Sequence, residues 1–244
     1  MIETFRCTSA YQRGVQEIHV LLPDRYQPDP AARVVYVLPV EAGFERQYGY
    51  GLGELAGMDV HNRYGLICVQ PGFAQEPWYG DHETNREVRQ ESYIRDFVVP
   101  WVEDRFGVAR TPHNRLLFGF SKSGWGACSL ILRNENFFGA AAAWDAPLML
   151  DRLCFRMADV FGTQENLDQY RPDLLALKKK ELFRAAPRLL LAGERVWGAH
   201  IKAFHTLLVR ETISHLYLDP IYAPHRWDIR WMEPLFAAFL HGIS

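Results

Sequence analysis

The sequence places one serine where it could act as a nucleophile. Residues 119–123 have the sequence Gly-Phe-Ser-Lys-Ser, which is close to the G-x-S-x-G pattern of a sharp turn between a strand and a helix. Small residues flank the nucleophile in that turn, which holds the serine hydroxyl at a helix N-terminus, where free N–H groups stabilise developing negative charge. Ser123 replaces the final glycine but is also small, and Gly124 follows it. We therefore predict that Ser121 is the nucleophile.

Two alternatives stay open at this turn. Ser121 could be an ordinary helix N-cap, and Ser123 could be the nucleophile, with Ser121 in the place of the leading glycine. The apolar run at residues 115–120 and the helix-forming stretch at residues 127–134 favour Ser121, because the pattern requires a strand before the serine and a helix after it.

A serine hydroxyl is a poor nucleophile unless a neighbouring base takes its proton. In folds with this turn, the chain order is serine, acid and then histidine. Three of the nine histidines follow the helix predicted over residues 199–211: His215 begins the last predicted strand, His225 lies in the loop after that strand, and His241 lies in the terminal tail. That loop is at the end of the sheet where Ser121 emerges, so we predict that His225 is the base.

The acid should lie at the end of a strand between the serine and the histidine. Asp145 ends the strand that follows the Ser121 helix, and Glu194 ends the next strand, directly after Gly193. We favour Asp145, because its carboxylate is the shorter and more rigid of the two. Glu194 stays open as the alternative.

An oxyanion hole for this serine needs two backbone N–H groups. The first should belong to Lys122, the residue after the nucleophile, and the second to the loop after Leu38. Because Pro39 has no N–H group, we predict that Val40 or Glu41 is the second donor.

Aromatic side chains occur in segments that we expect to be loops near the serine. Three tryptophans, Trp125, Trp197 and Trp227, could line the site, although each could equally belong to the core. Residues 148–186 have no strand signal, are mostly helical, and could cover the site. The predicted substrate-binding residues are Trp78, Tyr79, His82, Trp125 and Trp227.

A fold must hold these residues together, and the pattern of apolar residues along the chain predicts which fold it is. After an N-terminal hairpin that turns around residues 12–14, strands alternate with helices, which is typical of a mostly parallel sheet covered on both faces. We predict one α/β domain over residues 1–244, with an antiparallel N-terminal edge, and a kink at Pro100 in a helix over residues 92–106. The predicted strands are residues 4–10, 15–22, 33–38, 65–70, 115–120, 139–144, 188–192 and 215–218.

Composition and charge narrow the classes of function. The chain of 244 residues is 48% hydrophobic and 23% charged, with a net charge of -2, which gives no reason to expect nucleic-acid or membrane partners. The N-terminus does not resemble a secretory signal and the four cysteines form no CxxC pair, so we expect a cytoplasmic protein with no cofactor and no metal site. We expect a small-molecule ester as its partner, and a homo-oligomer stays open.

With Ser121 and His225 in these positions, the chain resembles the putative esterase family of α/β-hydrolases. That family includes esterase D (S-formylglutathione hydrolase), feruloyl and acetyl xylan esterases, and mycolyltransferases. The resemblance runs from about residue 34 to residue 240, and it implies an α/β-hydrolase fold with Ser121 as nucleophile and His225 as base. Three segments carry it: residues 78–81 (WYGD), 99–106 (VPWVEDRF) and 225–228 (HRWD).

The chain also departs from this family in two places. The sequence Pro39-Val40-Glu41 stands where the family has His-Gly-Gly, and Val196 stands near the family's usual aspartate, which is a further reason to favour Asp145. We predict a serine hydrolase that cleaves a carboxylic ester through an acyl-enzyme on Ser121. An acyltransferase that uses the same residues, or a non-catalytic binding module on this fold, are the alternatives.

Overall fold

An eight-stranded sheet runs through the protein in the order β1-β2-β4-β3-β5-β6-β7-β8. The computed structural model describes residues 1–44, 47–218 and 221–242. Every pairing from β4 to β8 is parallel, and the pairings of β2 with β1 and β4 are antiparallel. The strands are β1 (Ile2–Ser9), β2 (Gln12–Leu21), β3 (Val34–Val37), β4 (Ile67–Pro71), β5 (Arg115–Phe120), β6 (Ala140–Trp144), β7 (Leu189–Ala192) and β8 (Leu216–Tyr217).

The N-terminal hairpin confirms the predicted antiparallel edge, although its turn is earlier than we expected. Ser9 pairs with Gln12, so residues 10 and 11 form the turn, and residues 12–14 belong to β2. Gly14 marks an irregular point inside β2, since its φ is 74°, a value that favours glycine. Glycine therefore indicated a distortion within the strand and not its end.

The middle of the sheet is buried on both faces, which explains its continuous apolar runs. All residues of β3, β4, β5, β6 and β7 are buried. Such strands lack the alternation of a half-exposed strand, because helices cover both faces of a parallel sheet. The predicted mostly parallel sheet is confirmed.

From β3 onward helices connect the strands, and no helix in the described part of the chain is both long and apolar enough to cross a membrane. Residues 148–186 contain three short α-helices and a 3-10 turn, Lys180–Phe183. The α-helices are α1 (Gly51–Gly57), α2 (Val60–Arg63), α3 (Gln90–Ser92), α4 (Val99–Phe106), α5 (Ser121–Arg133), α6 (Ala158–Phe161), α7 (Gln164–Asp168), α8 (Pro172–Lys179), α9 (Gly198–Arg210) and α10 (Ile229–Gly242).

The helix predicted over residues 92–106 is irregular before Pro100. A π-helical segment, Tyr93–Val98, connects α3 to α4, and Pro100 lies in the first turn of α4. Because proline has no backbone N–H group, it cannot make the helical hydrogen bond to the preceding turn, and the regular helix is disrupted there. The predicted disturbance therefore takes the form of wider helical turns.

A buried ion pair fixes α4 against the start of β5. Arg115 Nε lies 2.5 Å from Glu103 Oε1, and the two side chains are 7% and 1% exposed. The Arg115 guanidinium also donates to the carbonyl of Phe137 and lies 3.9 Å from the centre of its ring. Removing one partner of such a pair leaves an uncompensated buried charge.

We expect Arg115→Met to lower the free energy of unfolding by about 3–5 kcal/mol, because Glu103 would stay buried without its partner. Urea unfolding of both proteins at pH 7 measures the difference. Arg184→Met is the matched control, since the Arg184–Glu181 pair is exposed and should contribute less than about 1 kcal/mol. Equal losses in the two variants would contradict this account.

Candidate active site

Ser121 stands on a sharp turn between β5 and α5. Its φ is 51°, in the left-handed region that a non-glycine residue seldom adopts, and such strain is concentrated at functional sites. A Cβ atom on Gly119 would overlap the carbonyl of Ser123, so the position before Phe120 admits only glycine. The sharp turn therefore depends on a small residue at the first position of the motif.

Ser123 stabilises this turn from inside the protein. It is fully buried, its Oγ accepts a hydrogen bond from Phe120 N at 3.1 Å, and it donates to Phe120 O at 2.8 Å. These local bonds occupy the hydroxyl of the alternative nucleophile, whereas the Ser121 hydroxyl faces a histidine.

The structure brings Ser121, His225 and Asp145 into one hydrogen-bonded chain. Ser121 Oγ lies 3.0 Å from His225 Nε2, and His225 Nδ1 lies 2.7 Å from Asp145 Oδ2. Along the chain, Asp145 lies 80 residues before His225 and Ser121 lies 104 residues before it. This order of hydroxyl, imidazole and carboxylate can move a proton from the serine to the histidine while the carboxylate holds the ring.

The Asp145 carboxylate is fully buried and has its acceptor positions filled. Oδ1 accepts from the backbone N–H groups of Arg195 and Trp197 at 3.1 and 2.8 Å, and Oδ2 accepts from Val196 at 2.8 Å. Burial raises the pKa of Asp145, but hydrogen bonds from His225 and from the three backbone N–H groups outweigh it, so the pKa lies below its ordinary value. Asp145 is therefore a carboxylate at neutral pH.

A glycine allows the loop after β7 to close over this carboxylate. Gly193 has a φ of 107°, and a Cβ atom there would lie 2.6 Å from Asp145 N. The backbone of residues 195–197 can then turn its N–H groups toward Asp145. Glu194, the alternative acid, lies elsewhere, and its carboxylate accepts a long bond of 3.4 Å from the Tyr222 hydroxyl.

Two of the three predicted oxyanion donors line a cavity at Ser121, which we call the Ser121 cavity. Lys122 is the second residue of α5, so its N–H belongs to the first turn, whose donors have no acceptor within the helix. Val40 also lines this cavity. Glu41 is absent from the described lining, and its carboxylate instead accepts from Tyr48 N at 3.2 Å.

The Ser121 cavity has a volume of about 520 Å³ and is mostly apolar. This size suits a small organic molecule. The residues that line it are Val40, Tyr48, Trp78, Ser121, Lys122, Pro147, Phe155, Val196, Trp197 and His225.

Trp78 is the one member of the predicted substrate-binding set that lines this cavity among the described residues. Tyr79 is fully buried, and its hydroxyl donates to the carbonyl of Pro39. Trp125 and Trp227 are also buried, in core clusters on the two faces of the sheet. These three aromatic residues support the site from within and do not form its surface.

His82 faces a second, charged cavity of about 710 Å³. Its Nδ1 accepts hydrogen bonds from the backbone N–H groups of Thr84 and Asn85, both at 3.1 Å, which fixes the turn that follows. Four arginines and three acidic residues line this cavity, and three of the arginines, Arg89, Arg95 and Arg133, form ion pairs with neighbouring carboxylates. The structure therefore separates His82 from Ser121.

Four residues that line the Ser121 cavity are not among the predicted site residues: Tyr48, Pro147, Phe155 and Val196. None belongs to a motif, and each reaches the cavity only because a separate loop ends beside the serine. A weak signal existed for Val196, which immediately precedes the candidate Trp197.

Comparison with known proteins identifies the family and the fold. Residues 12–205 match the model of the Esterase family, described as putative esterase, whereas no curated protein sequence matches the chain. The fold resembles a ferulic acid esterase (17% identity, TM-score 0.78, 100% of this chain and 98% of the other). It also resembles FphF, a fluorophosphonate-binding serine hydrolase of Staphylococcus aureus (16%, 0.79, 100% and 98%), and the S-formylglutathione hydrolase FrmB of the same organism (16%, 0.77, 100% and 99%).

We expect Asp145→Asn to lower the free energy of unfolding at pH 7 by about 1.5–3 kcal/mol, because the amide has one accepting oxygen and its NH2 group cannot accept the remaining N–H bonds. The pKa of Asp145 is depressed, so its stabilising contribution is present above the ordinary value of 3.8 and is lost as pH falls through the lower folded value. Urea unfolding at intervals from pH 7 to pH 3 should show the difference shrinking.

Glu194→Gln is the matched control, and its stability should stay close to that of the wild type at every pH, because the one side-chain hydrogen bond of Glu194 among the described residues is the long contact with Tyr222. A difference between Asp145→Asn and the wild type that is constant over the whole pH range would contradict the assignment.

Proposed function

This chain belongs to the putative esterase family and is a carboxylic-ester hydrolase, and we propose that it cleaves its ester through an acyl-enzyme on Ser121. The observation that carries the proposal is the hydrogen-bonded chain from Ser121 Oγ through His225 to Asp145. In this proposal Ser121 is the nucleophile, His225 is the general base and Asp145 orients the imidazole. The fold's resemblance to a fluorophosphonate-binding serine hydrolase is consistent with a serine nucleophile.

In the first half of the reaction, His225 Nε2 takes the proton of Ser121 as Oγ attacks the ester carbonyl. The Oγ–carbon bond forms while the carbonyl π bond opens, which leaves a negative charge on the carbonyl oxygen. The backbone N–H groups of Lys122 and Val40 would stabilise that oxygen. His225 then gives its proton to the departing alcohol as the carbon–oxygen bond of the ester breaks.

Water completes the cycle. It attacks the acyl-enzyme carbonyl while His225 Nε2 takes a proton from it, and the carboxylic acid leaves as the proton returns to Ser121 Oγ. Asp145 acts through the ring in both halves, because a carboxylate that accepts from Nδ1–H keeps Nε2 free to receive a proton and stabilises the imidazolium. Its depressed pKa ensures that it is ionised when this is needed.

Of the two alternative functions, a binding module fits these contacts less well than an esterase does, and an acyltransferase fits them equally well. A non-catalytic binding module would have no use for a serine hydroxyl bonded to a histidine that is itself held by a buried carboxylate. An acyltransferase would use the same residues, with an alcohol in place of water. Product analysis with added n-butanol separates water from alcohol as acceptor, since transfer gives the butyl ester.

The cysteines support a cytoplasmic location as part of this proposal. All four are free thiols in the structure, and free thiols are the usual state of cysteine in a reducing compartment.

We expect Ser121→Ala to lower kcat/KM for p-nitrophenyl acetate by at least about 10³-fold, because the nucleophile is removed. Asp145→Asn should lower kcat/KM for the same ester by about 10⁴-fold, because an amide at this position stabilises the wrong tautomer of His225. Initial rates of p-nitrophenol release measure both effects, and circular dichroism confirms that each variant is folded.

Glu194→Gln should stay within a few-fold of the wild type. Residual activity of Ser121→Ala within tenfold of the wild type, or a loss in Glu194→Gln as large as that in Asp145→Asn, would contradict the proposed roles.

A further inference from the structure

Among the described residues that line the Ser121 cavity, one aromatic side chain is mostly exposed. Phe155 is 60% exposed, although most phenylalanines of the described chain are buried, and its ring faces the cavity. An exposed aromatic ring at the wall of a binding cavity is a candidate for ligand contact.

The backbone that presents this ring is strained. Phe155 and Arg156 have φ values of 47° and 62°, so two successive non-glycine residues adopt the left-handed conformation. That conformation is unfavourable for a bulky residue and persists only where the surroundings enforce it, which is often at functional sites.

A buried tryptophan supplies part of that enforcement. The indole Nε1 of Trp78 donates to the carbonyl oxygen of Phe155 at 3.0 Å. Trp78 also lines the Ser121 cavity, and its backbone N–H donates to the fully buried Gln90 at 2.8 Å. The position of Phe155 is thus tied to a rigid part of the site.

The ring of Phe155 meets a second aromatic ring edge-on. The centres of the Phe155 and Trp197 rings are 5.8 Å apart, with an angle of 88° between the planes. Trp197 N is one of the donors to Asp145, at 2.8 Å. The two rings therefore have a fixed relation to the catalytic residues.

Charge contributes little to recognition beside these rings. Among the described residues that line the Ser121 cavity, Lys122 alone has a permanent charge, and its Nζ lies 2.6 Å from Glu76 Oε2. A group that packs against Phe155 and Trp197 meets apolar surface and an ammonium group that is paired with a carboxylate.

We propose that Phe155 is a specificity-determining residue, whose ring and that of Trp197 hold the apolar group of the ester while its carbonyl lies at Ser121. Trp78 is the positioning residue that holds Phe155 in place through its indole N–H. The inference rests on the proposed esterase function. The apolar group belongs to either the acyl or the alcohol part of the ester, and the substrates below distinguish the two.

The test compares methyl acetate with methyl benzoate, which has an apolar acyl group, and with benzyl acetate, which has an apolar alcohol. Phe155→Ala should raise KM about tenfold or more for one of the two aromatic esters. Its kcat for that ester should stay within a few-fold of the wild-type value, and its KM for methyl acetate should not change. A benzoate effect assigns the ring contact to the acyl part, and a benzyl effect assigns it to the alcohol part. Leu182→Ala is the control, since Leu182 is also exposed but lies in the 3-10 turn away from the cavity.

Trp78→Phe should reproduce the selective rise in KM with a smaller magnitude, because it removes the indole donor and keeps an aromatic ring. Raising the NaCl concentration should leave the preference between methyl benzoate and methyl acetate unchanged, since apolar contact is not screened by salt. Equal changes for all three esters in Phe155→Ala, or none, would overturn the specificity proposal.

The two proposals fail in different ways. Hydrolysis that depends on Ser121 but is indifferent to Phe155 would refute the specificity proposal and leave the esterase mechanism intact. A wild-type protein that hydrolyses none of the three esters would refute both.

Discussion

The site depends on one buried carboxylate and the groups that surround it. Asp145 accepts three backbone N–H bonds from residues 195–197 and faces His225 at 2.7 Å, with no exposure to solvent. These bonds join the end of β6 to the loop after β7 and to the loop that precedes α10. Without the carboxylate, the loop after β7 would lose its anchor and the imidazole would lose the partner that sets its tautomer.

In the proposed mechanism, this arrangement also connects catalysis to the shape of the cavity. Val196 and Trp197 donate to Asp145 through their backbone N–H groups and also line the Ser121 cavity. The same short segment therefore orients the acid and forms part of the wall beside Phe155. A substitution that moves this loop should alter turnover and substrate preference together, because rigid support of the reacting groups is what fixes both.

Sequence analysis predicted the parts of the site that depend on local chemistry. The sharp turn at Ser121 could be predicted from a short sequence pattern, because the turn itself requires the glycine and the small residues around the serine. The mostly parallel sheet followed from the apolar runs, and the position of His225 followed from chain order. The structure brings Asp145 to His225 and leaves Glu194 beside Tyr222, a distinction that rests on how the loop after Gly193 folds back.

The cavity wall could not be predicted in the same way. Tyr79, Trp125 and Trp227 are of the aromatic type expected at a binding surface, but they are buried in the core. His82 lines another cavity. Phe155 and Tyr48 line the Ser121 cavity because loops distant in sequence converge there. Which aromatic residue faces solvent is decided by tertiary packing, which periodicity and motifs do not encode.

The central claim is that Ser121 is an activated nucleophile, and covalent labelling with a fluorophosphonate followed by peptide mapping tests it most directly. The account predicts one adduct per chain, on Ser121, at a rate that falls strongly in His225→Gln, because the histidine activates the hydroxyl. An absence of labelling in the folded wild-type protein, or an adduct on Ser123, would contradict it.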